Sequence, residues 1–111
     1  MKRLNSRLKN LRGISGSFIH KRKYKKINKI KDKEEKINVL QNSLISELRT
    51  KHLDLELKLK KLKDKKKKHT ITLKSNLIPS KLNLLHTNFN EKDFKKINSL
   101  LDKLEEEVKN A

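Results

Sequence analysis

Like charge sets the first limit on what this chain can fold into. Its 111 residues carry 31 Lys and Arg against 13 Asp and Glu, a formal net charge of +18, and such a density of one sign repels itself until counter-charge arrives. Only 32% of the residues are apolar and 4% aromatic, while 40% are charged. That places the chain between ordinary domains and chains whose apolar burial cannot offset the entropy of ordering. With three Phe, one Tyr, no Trp and Leu as the main apolar residue, one thin core or a helix hairpin is the ceiling. Helices that gain part of their stability from a partner are the expected outcome.

Several function classes fall away on residue types alone. There is no Cys, which removes disulfides, thiol catalysis and thiolate metal sites, and fits a reducing compartment. No apolar run approaches the ~18 residues of a membrane span, and no secretory signal pattern opens the chain. The four His residues, at 20, 52, 69 and 86, have no two one helical turn apart, as a paired metal site would. Acidic groups such as Asp32, Glu34 and Glu35, or Glu105, Glu106 and Glu107, are flanked by Lys and read as a solvated helix surface. No glycine-rich phosphate cradle or Ser/His/Asp arrangement is recognisable. The expectation is a non-catalytic protein with no cofactor, no metal and no small-molecule substrate.

Charge is unevenly spread, and it divides the chain. Residues 1–36 carry 14 basic and 3 acidic side chains, residues 65–88 carry 6 basic and none acidic, and residues 89–111 carry 5 basic and 6 acidic. The fold expected is all-α but extended and non-globular. It consists of a basic, partly helical arm (1–31), a long helix (32–64), a basic extended connector (65–89) and a short amphipathic C-terminal helix (90–111). In the arm, Leu4, Leu8, Leu11 and Phe18 recur at helical spacing until Gly13 and Gly16 interrupt. Residues 32–64 contain neither Gly nor Pro, and Ile37, Leu40, Leu44, Leu48, Leu55, Leu59 and Leu62 form one broad stripe. Alternation at Leu53, Leu55, Leu57 and Leu59 imitates a strand, but Leu, Glu and Lys are weak strand formers. Lys65, Lys66, Lys67 and Lys68 are expected to end this helix at its negative dipole end. Thr70, Ile71, Thr72 and Leu73 then read as extended, and Pro79 biases Ile78 the same way. Near the end, Asn90 is a good N-cap, Asp93 suggests a capping box, and Phe89 can staple onto Phe94. Phe94, Ile97, Leu101, Leu104 and Val108 follow as a seam of heptad spacing over 91–109.

The motifs that carry function are basic. Lys21, Arg22, Lys23, Lys25 and Lys26 surround Tyr24, a pattern suited to neutralising phosphates while an aromatic ring stacks on an unpaired base. Arg3, Arg7 and Arg12 precede them, and Lys65, Lys66, Lys67 and Lys68 add a second cluster. Lys outnumbers Arg 26 to 5, which favours phosphate and shape recognition over bidentate reading of bases, although an AT-rich coding sequence yields the same bias. The leading reading is an RNA-binding component or assembly factor of a ribonucleoprotein, with ribosomal or preribosomal RNA as the favoured partner. Its setting would be the nucleolus, the nucleus or a cytoplasmic ribosome. The α-helical seam from Phe94 to Val108 would hold a neighbouring protein. Three alternatives stand beside it: a helical subunit meeting an acidic protein surface, a nonspecific DNA-binding protein, and a membrane-surface peptide. The first 31 residues, free of acid and containing several Ser, also resemble a mitochondrial targeting segment.

Overall fold

The computed structural model describes residues 2–111, apart from the side chains of Lys2, Arg3, Leu4 and Ser17. Among the described residues there are six helices and no strand: α1 (Lys2–Phe18), α2 (Lys21–Asn28), α3 (Lys33–Lys60), α4 (Lys65–Ser75), α5 (Ile78–Thr87) and α6 (Glu91–Lys109). The protein is all-helical, as expected. Two compact units divide it, Met1–Glu47 and Leu48–Ala111, and α3 contributes residues to each.

In the first unit, α1 buries Leu8, Leu11 and Ile14, followed by Ile19 just past its end, while Phe18 is half-buried. The helix runs through Gly13 and Gly16, which were expected to break it. Each helical Gly costs about 1 kcal/mol relative to Ala, and burial of the surrounding apolar face outweighs that cost. Ser15, also buried, donates its hydroxyl to the Leu11 carbonyl one turn back. The start of α3 is capped by Asp32, whose Oδ1 accepts from the amides of Glu34 (2.9 Å) and Glu35 (3.2 Å), and both glutamates favour the positive helix end. Two lysines fasten the turns: Lys33 Nζ donates to Asn5 Oδ1 at 2.7 Å, and Lys36 Nζ to the Asn28 carbonyl at 3.0 Å. The basic arm is therefore helical and packed, and Ile27, Ile37, Leu40, Leu44 and Ile45 belong to its core.

In the second unit, residues 48–60 of α3 turn Leu48, His52, Leu55 and Leu59 inward. Leu53 and Leu57 remain exposed, so the alternating leucines separate at helical spacing, two to each face. The largest correction concerns residues 65–89, expected as an extended connector. They form α4 and α5, because Asp64 Oδ1 caps the amides of Lys66 (3.1 Å) and Lys67 (3.2 Å) and the helices bury Ile71, Ser75, Ile78, Leu82 and Leu85. The low helix propensity of Thr70, Ile71 and Thr72 amounts to tenths of a kcal/mol per residue, ~0.7 at most, which such burial exceeds. Pro79 lies in the first turn of α5, where its missing N–H has no intrahelical partner to lose, so Ile78 is helical rather than extended. Lys65, Lys66, Lys67 and Lys68 accordingly open α4 instead of closing α3, which ends at Lys60.

The C-terminal helix has the limits its sequence predicts. Asn90 Oδ1 accepts from the amides of Lys92 (2.8 Å) and Asp93 (3.4 Å), and the Phe89 and Phe94 rings lie with centroids 6.0 Å apart. Its seam, however, is spent within the chain. Phe94, Ile97, Leu101, Leu104 and Val108 are all buried, none more than 8% exposed, with α4 and α5 packed against α6. These five residues cannot serve as an open protein-binding face, because a heptad stripe states only that something covers it, and here the chain's own helices do.

A candidate nucleic-acid interface

The cations singled out by sequence have different surroundings in the two units. In α2, His20 caps the helix start, its Nδ1 accepting from the Arg22 amide at 3.3 Å. Ile27 is buried and Tyr24 half-buried, which fixes the inner side of this short helix. Lys21, Arg22, Lys25 and Lys26 then spread over an outer arc of about 140° at 100° per residue, with Lys23 beyond its edge, and all five are exposed. Tyr24, half-buried, follows them round the helix beside Lys21. Arg7 and Arg12 are exposed on α1, and the side chain of Arg3 lies outside the described residues.

No ion pair among the described residues involves any of these seven cations. Positive charge nevertheless presses inward: the Lys36 ammonium is held below its usual pKa, first by burial and then by the nearby Arg12 guanidinium. Charge is balanced differently in the second unit. Asp102 accepts from Lys51 at 3.0 Å, Glu107 from Lys74 at 3.3 Å, and Glu105 from Lys58, so three carboxylates of α6 strap it to α3 and α4. The Glu105 hydrogen bond, with the charges of Glu105 and Asp54, holds the Lys58 ammonium above its usual pKa against some desolvation. Lys65, Lys66 and Lys67 are exposed and Lys68 half-buried in the first turn of α4. Four cations at a positive dipole end are mutually unfavourable, and Asp64 alone answers them within that turn.

One buried polar cluster escapes sequence reasoning. His52 Nε2 lies 2.9 Å from Ser75 Oγ, 3.2 Å from the Ser75 carbonyl and 3.4 Å from Glu56 Oε1. The group contains Ser, His and Glu, but the carboxylate and the hydroxyl approach the same ring nitrogen. A relay that activates a serine needs them on opposite nitrogens, and Ser75 is only 1% exposed. Pro79 explains the cluster better. The Ser75 carbonyl is the acceptor that the amide of residue 79 would take in a continuous helix, and proline has no N–H to give. In the tautomer with its proton on Nε2, His52 supplies that missing donor.

Among the described residues, no three His, Asp or Glu side chains are grouped to hold a metal ion, and no helix is long and apolar enough to cross a membrane. No protein-family model matches the chain, and neither does a curated protein or a solved structure. Function is therefore read from the residues themselves.

Proposed function

We propose that this protein is a non-catalytic RNA-binding component or assembly factor of a ribonucleoprotein particle, with ribosomal or preribosomal RNA as its ligand. The observation that carries the reading is the set of exposed cations on α1 and α2. Lys21, Arg22, Lys23, Lys25 and Lys26, with Arg7 and Arg12, have no carboxylate partner among the described residues, whereas the lysines facing α6 in the second unit do. A helix of fixed outer face holds these charges in register, so phosphate binding does not bear the full cost of ordering an arm. Binding releases counterions from the RNA, and Tyr24 stands among the cations to stack on an unpaired base. Lys65, Lys66, Lys67 and Lys68 supply a second phosphate-binding cluster, where an anion also relieves repulsion at the start of α4. Predominance of Lys matches recognition of backbone and shape, as expected for a particle built on structured RNA. The compartment follows from the particle: nucleolus or cytoplasmic ribosome, with mitochondrion as the alternative that the acid-free first 31 residues favour.

The test is the salt dependence of binding to a structured ribosomal RNA fragment and to duplex DNA of equal length. About five to seven phosphate contacts give a log–log slope of magnitude roughly 4 to 6. Changing Lys21, Arg22, Lys23, Lys25 and Lys26 to Gln should lower it by about 4. A shallow slope with tight binding, or an unchanged slope in the variant, rejects the reading, and equal affinity for DNA moves it to a nonspecific DNA-binding protein.

A further inference from the structure

The seam of α6 is covered, yet the second unit still presents leucines to solvent. Leu73, Leu77 and Leu84 are 56%, 58% and 71% exposed, and they form a line. Asn76 and Leu77 keep right-handed helical backbone angles, and their amides bond back to the carbonyls of Thr72 (2.9 Å) and Lys74 (3.2 Å). Helical phase thus carries from α4 into α5. At about 100° per residue, Leu73, Leu77, Ser80 and Leu84 fall within an arc of roughly 60°, opposite the side that buries Ile71, Ser75, Ile78, Leu82 and Leu85. Their spacing of 4, 3 and 4 residues is that of a helix-pairing seam.

The charge that α4 and α5 themselves carry has one sign. Residues 65–88 hold six Lys and no Asp or Glu. Lys74 is engaged by Glu107 at 3.3 Å, while Lys66 and Lys81 have no ion pair among the described residues.

We propose that the α4–α5 face centred on Leu73, Leu77 and Leu84 docks an acidic amphipathic helix of a partner protein. Charge and shape select this occupant. A second copy of the chain would set lysines against lysines, and a nucleic-acid backbone offers the leucines no apolar surface. Lipid is matched by a broad apolar face with interfacial aromatic anchors, but this line is one side chain wide, is interrupted by Ser80 and has no Phe, Tyr or Trp within residues 65–88. A helix with its own apolar seam and flanking Asp or Glu satisfies both the leucines and Lys66 and Lys81. Lys66 also belongs to the second phosphate-binding cluster, but the three leucines do not, and Lys21 and its neighbours lie in the other unit, so variants of the leucines alone separate this reading from the RNA one.

The experiment uses the full chain and a labelled synthetic heptad peptide of about 21 residues, with Leu along one seam and Glu beside it. A control peptide keeps every Glu but has Ser at the seam. The leucine peptide should bind about tenfold or more tightly than the control, through apolar burial that charge alone does not supply. The combined Leu73→Ser, Leu77→Ser, Leu84→Ser variant should lose that difference while keeping its helical circular dichroism and its RNA affinity. A Leu53→Ser, Leu57→Ser variant, altering the other exposed leucines, should keep the difference. Equal binding of the two peptides overturns the proposal, as does a triple variant that binds like the parent. Loss of phosphatidylserine-vesicle binding, or of a sedimenting dimer, in the triple variant alone overturns it in favour of a lipid surface or a second copy.

Discussion

Replacing His52 by Leu, with and without Pro79, isolates the hydrogen bond that the tertiary structure inserts where Pro79 leaves a gap. Leucine occupies similar space in a site only 7% exposed, so the losses are the partner of the Ser75 hydroxyl at 2.9 Å and the donor to the Ser75 carbonyl at 3.2 Å, of which only the second is tied to Pro79. A buried acceptor left unsatisfied costs about 1–3 kcal/mol, which for a chain of this size lowers the melting temperature by roughly 4–12 °C. Pro79→Ala restores an amide at position 79, aimed at the same carbonyl, and should absorb most of that loss. In this background His52→Leu should cost about 1 kcal/mol or less, giving a coupling of about 1–2 kcal/mol. The Pro79→Ala change also alters the entropy of the unfolded chain, but that contribution cancels in the double-mutant cycle. Urea denaturation followed by far-UV circular dichroism supplies the four stabilities. Equal cost of His52→Leu in both backgrounds, a coupling below about 0.5 kcal/mol, would show that the histidine does not replace the proline's missing donor.

Other perturbations test the remaining structure. A Cβ added at Gly13 or Gly16 meets nothing within 4 Å, and neither glycine has positive φ; Gly13→Ala and Gly16→Ala should each stabilise by up to about 1 kcal/mol, and a loss of stability in urea would contradict a continuous α1. Asp64→Ala removes a two-amide cap and the carboxylate at the start of a helix that opens with four lysines, costing about 1–2 kcal/mol at low salt. That cost should shrink as salt rises in thermal melts, and a salt-independent loss would remove the electrostatic part. The pH dependence differs in sign at two lysines. Lys58 has a folded pKa above its ordinary 10.5, so its contribution is complete below that value and disappears as pH rises through the higher folded one; the stability lost in Lys58→Gln should therefore vanish in strong alkali. Lys36 has a folded pKa below 10.5, so its charged form opposes folding, and that opposition fades as pH rises from the lowered value toward 10.5. Comparing Lys36→Met with the parent across alkaline pH checks it, and a difference that grows in the other direction would reverse the assignment.

Local chemistry was enough wherever one short segment carried all its own signals. The limits of α6 follow from Asn90, its first-turn acids and five apolar residues at heptad spacing, and α3 follows from an unbroken run of helix formers beginning at Asp32. The basic clusters are likewise visible as residue types. Their state is not: that Lys51, Lys58 and Lys74 are matched by α6 carboxylates depends on which helices of the second unit lie side by side, and that no ion pair among the described residues involves Lys21, Arg22, Lys23, Lys25 or Lys26 depends likewise on the packing of their own unit.

Helical class, a capped amphipathic C-terminal helix and an excess of cations are all legible in the residue order, because propensity, capping and charge act over a few residues. That α4 and α5 are helices was settled by packing, since weak local preferences at Thr70, Ile71, Thr72 and Pro79 yield to burial against α6 and to a hydrogen bond from distant His52. Packing also decided which apolar face is left open. A seam records the need for a covering surface, and the chain itself covers Phe94, Ile97, Leu101, Leu104 and Val108 while leaving Leu73, Leu77 and Leu84 to solvent.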